Sequence, residues 1–344
     1  MANRFDYRGG EHEAWLGRVS EPILAPEMPI VDAHHHLWIR GDAPYLLREF
    51  ATDATTGHRI VASVFAECHS MYRTSGPEAM RCVGEMEFVA GIAAMSDAGA
   101  FGSTGVCRAA VGNVDLTLGA AVEPVLEALT TASGGRLRGV RASVCWDESE
   151  TLHRAAPRAG MLGEPAVRAG IGALDRRGLS FDCWLYHPQI PELTAVADAH
   201  PRLTIVLNHT GTPILGGPYR DRLDDVRDAW LTAMRELARR DNVYVKLGAL
   251  PAKFGGANKA SSLPPSSDDI AAAWRPWIEP CVELFGARRC MFESNFPVHK
   301  NWMSYPILWN AFKRIASGAS NEEQRALFAG TAISAYRIEG VDSQ

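Results

Sequence analysis

The sequence predicts a single (β/α)8 TIM barrel with an N-terminal extension and long βα loops, and three observations point to it. Eight short apolar, β-rich runs alternate with helical stretches almost to the end of the 344 residues. Several runs are apolar at nearly every position, as in Leu203-Thr204-Ile205-Val206-Leu207, which suits strands covered on both faces of a parallel sheet. Residues capable of chemistry stand at the carboxyl ends of several different runs, where such barrels carry their active sites. No G-x-G-x-x-G follows an early run and no P-loop lysine motif is present, so a nucleotide-binding open sheet loses support. The length fits a barrel of ~250 residues plus insertions.

Taken in order, residues 1–18 are charged and lack the apolar core of a signal peptide, and residues 1–28 read as an extension packed on the barrel or on a neighbouring subunit. The barrel domain is expected over 29–340. Strands are expected at 30–34, 60–67, 87–94, 137–144, 179–186, 203–208, 242–247 and 288–293. A helix over 164–177 carries Val167, Ile171 and Leu174 at helical spacing, and one over 221–240 aligns Leu223, Val226, Trp230, Met234 and Leu237. Further helices are expected at 268–285, 305–317 and 321–336, the last with Asn321 as N-cap before Glu322 and Glu323. Irregular stretches at 146–163 and 251–267 follow the fourth and seventh strands, where long loops shape a substrate pocket.

Composition narrows the function. A formal net charge of -5 argues against a nucleic-acid surface. The seven cysteines form no CxxC pair, are odd in number and sit mostly in apolar runs, as buried thiols of a reducing compartment do. No run approaches the ~18 apolar residues that span a bilayer. A cytoplasmic protein acting on a small molecule, without nucleic acid or membrane, is the expectation.

The chemistry starts at Asp32-Ala33-His34-His35-His36. Strand side chains alternate, so His34 and His36 face one way and His35 the other, and two imidazoles on one face make half of a metal site. His187 follows the fifth strand and His209 the sixth, while Glu293 and Asn295 share a face after the eighth. Imidazoles with a carboxylate at one barrel mouth match the donors of zinc or manganese hydrolases. Glu67, His69 and Tyr72 after the second strand, Arg141 in the fourth, Trp146 beyond it and Lys246 in the seventh are substrate-binding candidates. Arginine offers a planar fork suited to a substrate carboxylate or a charged carbonyl oxygen. The same residues could instead form buried charge pairs, for instance Arg141 with Glu67 or Glu293.

These residues resemble the amidohydrolase superfamily, which places His-x-His after the first barrel strand, one histidine after each of the fifth and sixth, and an acid after the eighth. The chain looks like the lactonase branch that includes 2-pyrone-4,6-dicarboxylate lactonase, fuconolactonase and 4-sulfomuconolactone hydrolase. The resemblance runs from about Ile30 to Arg337. It includes Gly139-Val140-Arg141, His187-Pro188, His209-Thr210-Gly211, Val245-Lys246-Leu247-Gly248 and Phe292-Glu293-Ser294-Asn295-Phe296-Pro297.

What the resemblance implies is a hydrolase opening a small, carboxylate-bearing lactone. His34, His36 and His187 would hold one divalent ion, zinc or manganese, or the site would work with none. His209, Glu293 and Asn295 would manage water and proton, and a homodimer is expected. Two departures stand out. Arg141 occupies the strand that carries a bridging lysine in binuclear members, and Asn295 stands where an aspartate is usual. A neutral amide cannot serve as a base, and general-base help contributes ~10²–10⁴ in rate. The rival readings are a decarboxylase of aromatic or muconate-type acids and a barrel that binds without catalysis.

Overall fold

The computed structural model describes residues 9–41, 43–250 and 263–341. Its core is eight parallel strands in chain order: β1 (Pro29–His35), β2 (Arg59–Ala66), β3 (Gly105–Gly112), β4 (Leu137–Ser143), β5 (Ser180–Trp184), β6 (Ile205–Leu207), β7 (Val243–Leu247) and β8 (Cys290–Phe292). The ring closes just past β8. There the Asn295 amide donates to the His34 carbonyl at 2.8 Å and the His36 amide donates to the Phe296 carbonyl at 2.7 Å. Helices α1 (Leu47–Ala54), α2 (Val83–Asp97), α3 (Glu123–Ala132), α4 (Pro165–Arg177), α5 (Ile190–Ala199), α6 (Leu223–Leu237), α7 (Ser267–Phe285) and α8 (Tyr305–Ile315) follow the strands in turn.

Seven of the expected strands fall on barrel strands, and the one expected at 87–94 does not. That apolar run lies inside α2, where Val83, Met86, Val89, Ile92 and Ala93 are buried at helical spacing. The third strand is instead Gly105–Gly112, whose alanines and glycines carry little β-propensity and whose run is broken by Arg108. The C-terminal helix divides into Asn321–Arg325, a π turn Ala326–Gly330 and Thr331–Ala335. Its N-cap is Ser320, not Asn321: the Ser320 side chain accepts from the Glu323 amide and the Glu323 carboxylate from the Ser320 amide.

The barrel interior is filled in two ways. In one layer Val31, Ala33, Ala62, Val64, Ala109 and Val111 pack against Ala332 and Tyr336 of the C-terminal segment. The small strand side chains leave room for the Tyr336 ring, whose hydroxyl donates to Asp182 Oδ2 at 2.7 Å. Toward the C-terminal ends the filling turns polar, and this polar layer is the floor of the mouth. The extension packs on the barrel: His12 contacts the Lys300 carbonyl at 2.8 Å, and Lys313 donates to the carbonyls of Leu24 and Ala25.

All seven cysteines are buried and unpaired. Among the described residues no helix is long and apolar enough to cross a membrane. Most of the irregular stretch at 251–267 lies outside the described residues.

Candidate active site

The bend at the end of β1 sets the site. Pairing with β2 shifts register between Asp32 and His35, which lets His34 and His36 converge while His35 stacks on Phe50 of α1 at 4.1 Å. His34 Nε2 and His36 Nε2 are 3.2 Å apart. Across the barrel, the chain leaving β6 turns through left-handed backbone at His209 (φ 58°), Thr210 (55°) and Thr212 (37°). Non-glycine residues held there cost about 1–3 kcal/mol each, and such strain is concentrated at functional sites. The turn aims both the ring and the backbone N–H of His209 at Glu293.

Two hydrogen-bond chains run through the mouth, and their ends fix the direction of each. Lys246 can only donate and does so to His34 Nδ1 at 3.3 Å. His34 Nε2–H then donates to His36 Nε2, whose Nδ1–H donates to the Ala66 carbonyl at 2.8 Å. In the second chain Arg141 Nη2 donates to His209 Nε2 at 3.4 Å, and His209 Nδ1–H donates to Glu293 Oε1 at 2.8 Å. The His209 backbone N–H reaches the same oxygen at 3.1 Å. All three imidazoles are therefore neutral, each in one tautomer. Burial pushes their pKa values down, helped at His34 by the Lys246 charge and at His36 by that of Arg141. At His209 burial outweighs the upward pull of Glu293. Burial alone would raise Glu293, but His209, Lys246 and Arg141 together hold it below the usual carboxylate range.

Glu293 is also one of the buried groups of the mouth left partly unsatisfied, as Glu67 is. Glu293 Oε2 is buried without a hydrogen-bond partner among the described residues, although it lies 3.1 Å from His34 Nδ1. His34, His209 and Glu293 place donor atoms within 4.8 Å of one another, a nitrogen and oxygen set that fits a divalent ion. The Lys246 and Arg141 ammonium and guanidinium groups approach the same imidazoles, so an ion would compete with them.

His187, expected as a ligand, is outside that group. Its Nδ1 accepts from the Ile214 amide at 3.3 Å, its ring meets Tyr219, and it lines a cavity of about 350 Å³ with Pro188 and Pro191. The three-residue turn His187–Gln189 that follows β5 carries the ring there. His36 contacts His34 but is not part of the three-donor group.

Asn295 adopts left-handed backbone (φ 53°), a conformation that asparagine and aspartate enter more readily than other side-chain-bearing residues. Its backbone N–H closes the barrel on His34.

The remaining candidates divide between the mouth and its rim. Arg141 Nη1 pairs with Glu67 Oε1 at 3.1 Å and Nε donates to Asn208 Oδ1 at 2.9 Å. Lys246 pairs with Asp182 at 2.8 Å, so both cations belong to buried pairs. His69 is largely exposed, its Nδ1 3.5 Å from Glu67 Oε2. Tyr72 donates to Asn113 Oδ1 at 3.2 Å. The Trp146 amide donates to Gln189, and its ring lies against Arg154.

Sequence reasoning passed over Asp182 and Asn208, which anchor Lys246 and Arg141 and bond to each other at 3.2 Å. A charged residue inside the apolar run Phe181-Asp182-Cys183 was the available signal, since a buried carboxylate requires a partner.

A closed parallel barrel that gathers imidazoles and carboxylates at its C-terminal mouth defines a class of barrel enzymes that handle water and protons at strand ends. The chain belongs to the Amidohydrolase family, whose model matches residues 31–338. It is 38% identical over 183 residues to the uncharacterized protein y4mH of Sinorhizobium fredii, covering 52% of this chain and 55% of that one. It is 29% identical over 208 residues to an L-fucono-1,5-lactonase of Burkholderia multivorans, covering 60% and 64%. The matched regions thus span between about half and two thirds of these relatives' own length. A crystal structure of a Burkholderia multivorans amidohydrolase with bound zinc shares the fold, with a TM-score of 0.68 and 23% identity over 90% of this chain and 99% of that one.

Proposed function

We propose that the protein is a hydrolase that opens a small cyclic ester. The observation that carries this reading is the chain from Arg141 through His209 to Glu293, a neutral imidazole with a carboxylate 2.8 Å behind it. The 3.4 Å contact from Arg141 is long for a hydrogen bond and yields readily to a water at His209 Nε2. His209 takes that water's proton as the water oxygen bonds to the ester carbonyl carbon, and Glu293 stabilises the imidazolium. The ring C–O bond then breaks, and the leaving oxygen takes the proton back from His209. Lactone and water have become a hydroxy acid. A divalent ion held by His34, His209 and Glu293 supplies, when bound, a water acidified to a pKa of ~7. Family membership and the similarity to lactonases support the same reaction class.

The test is a panel of sugar-derived and aromatic-catabolic lactones, run with metal-loaded and chelator-treated enzyme. Ring opening is expected in the panel. Activity that survives chelation assigns the proton to the His209–Glu293 pair, and activity lost with the ion and restored by it assigns the water to the metal. No ring opening, or release of carbon dioxide from aromatic acids instead, would overturn the reading.

A further inference from the structure

We propose that Arg141 does not clamp a substrate carboxylate but gives one N–H to the carbonyl oxygen of the scissile ester, so that the site prefers lactones without a carboxylate; this rests on the lactonase reading above. Arginine carries five N–H donors, and a carboxylate fork needs two parallel ones on a single edge. Here Nε–H donates to Asn208 Oδ1 at 2.9 Å. The Nη1 donors go to Glu67 Oε1 at 3.1 Å and to the Glu67 carbonyl at 3.4 Å. One Nη2 donor faces His209 Nε2 at 3.4 Å. Both edges of the fork are thereby engaged, and among the described residues a single Nη2 N–H remains beside the imidazole that moves the proton.

The surroundings point the same way. Arg141 is 5% exposed, and the Trp184 ring lies 5.2 Å from its Cζ, so the guanidinium cannot turn to offer another edge. Lys246, the other cation of the mouth, is held by Asp182 at 2.8 Å and has no exposed surface. Glu67 Oε2 and Glu293 Oε2 are both buried without a hydrogen-bond partner among the described residues, and a carboxylate entering there would meet two others. A carbonyl oxygen needs only the one N–H. As water bonds to the carbonyl carbon, the C=O π pair moves onto the oxygen held by Nη2–H. That pair returns when the ring C–O bond breaks and the leaving oxygen takes the proton from His209.

The experiment compares pairs of lactones identical except that one bears a carboxylate and the other a carboxamide. For wild-type enzyme, kcat/KM is expected to be on the order of tenfold or more higher for the neutral member. Arg141→Lys is expected to lower kcat ~10²–10³-fold with KM little changed, as loss of an oxyanion donor does. Glu67→Ala frees the Nη1 edge and is expected to raise kcat/KM for the carboxylate member relative to its neutral partner. If Arg141→Lys does not fold, the wild-type preference and Glu67→Ala still decide. A wild-type preference for the carboxylate member, or an Arg141→Lys effect confined to KM of that member, would overturn the inference and leave the lactonase reading standing. Opening of neither member overturns both.

Discussion

Glu293→Gln keeps the side-chain volume and removes the charge. In the wild-type site Oε1 accepts from His209 Nδ1 at 2.8 Å and from the His209 amide at 3.1 Å, while Oε2 sits 3.1 Å from His34 Nδ1. A glutamine can keep its oxygen on His209 only by turning its NH₂ toward His34 Nδ1, which already accepts from Lys246. Stability therefore changes modestly. A hydrogen bond to a charged group contributes ~1.5–3 kcal/mol against ~0.5–1.5 for a neutral one, and the buried ion's desolvation is relieved at the same time. A net change under about 2 kcal/mol moves Tm by less than ~8 °C in a domain of this size. The rate changes far more. Unit charges ~4 Å apart at an effective dielectric of ~20 interact by ~4 kcal/mol, and that attraction exists only once His209 is protonated. Losing it lowers kcat by ~10³ at 1.36 kcal/mol per factor of ten. The assay is steady-state kinetics on any lactone the enzyme opens, beside a thermal melt of the same preparation. A kcat within threefold of wild type would refute the role of Glu293 behind His209. A melt lowered by much more than ~8 °C would make the rate loss structural.

Two further perturbations follow from the packing. A Cβ at Gly248 would lie 2.6 Å from the Glu293 carbonyl oxygen and 2.8 Å from Glu293 Cγ, too close for either to remain in place. Gly248→Ala is expected to cost about 1–3 kcal/mol in denaturant unfolding and to lower activity by displacing Glu293, and unchanged stability and rate would show that the strand end is pliable. Glu85 of α2 accepts from the amides of Cys68 and Ser70 at 3.0 and 2.8 Å, and burial, reinforced by the Glu67 charge, pushes its carboxyl well above the usual range. The folded pKa exceeds the unfolded one, so the unfolded state holds fewer protons between them and wild-type stability falls as pH rises from the unfolded value of 4.5 toward about 8. Glu85→Gln removes that loss. Its Tm advantage over wild type is expected to grow across this window and to vanish below it, and a difference independent of pH would refute the assignment.

Strand ends were legible wherever apolar density and a following histidine or proline coincided, as at His34, His187 and His209. The third strand was not, because Gly105–Gly112 has the alanine and glycine content of a helix or loop, while the richer apolar run beside it is helical. Its small residues suit the inside of the barrel, where Ala109 and Val111 share space with Tyr336, and that demand comes from the far end of the chain. The capping residue moved by one position because Ser320 and Asn321 are both good caps, and only the bond from the Glu323 amide distinguishes them.

The sequence by itself determined the barrel and the strand ends at which His34, His187, His209 and Glu293 stand, because alternation along a strand and the polarity of strand ends are local properties. It pointed to His34, His36 and His187 as one ligand set, whereas the folded chain groups His34, His209 and Glu293. Tertiary structure decided what those groups are to one another. It placed His187 in another cavity, gave Asn295 a backbone part at the barrel's closure, and engaged both edges of the Arg141 fork with Asn208 and Glu67. A residue type states which hydrogen bonds a side chain can make, but which of them are already taken depends on neighbours tens of residues away.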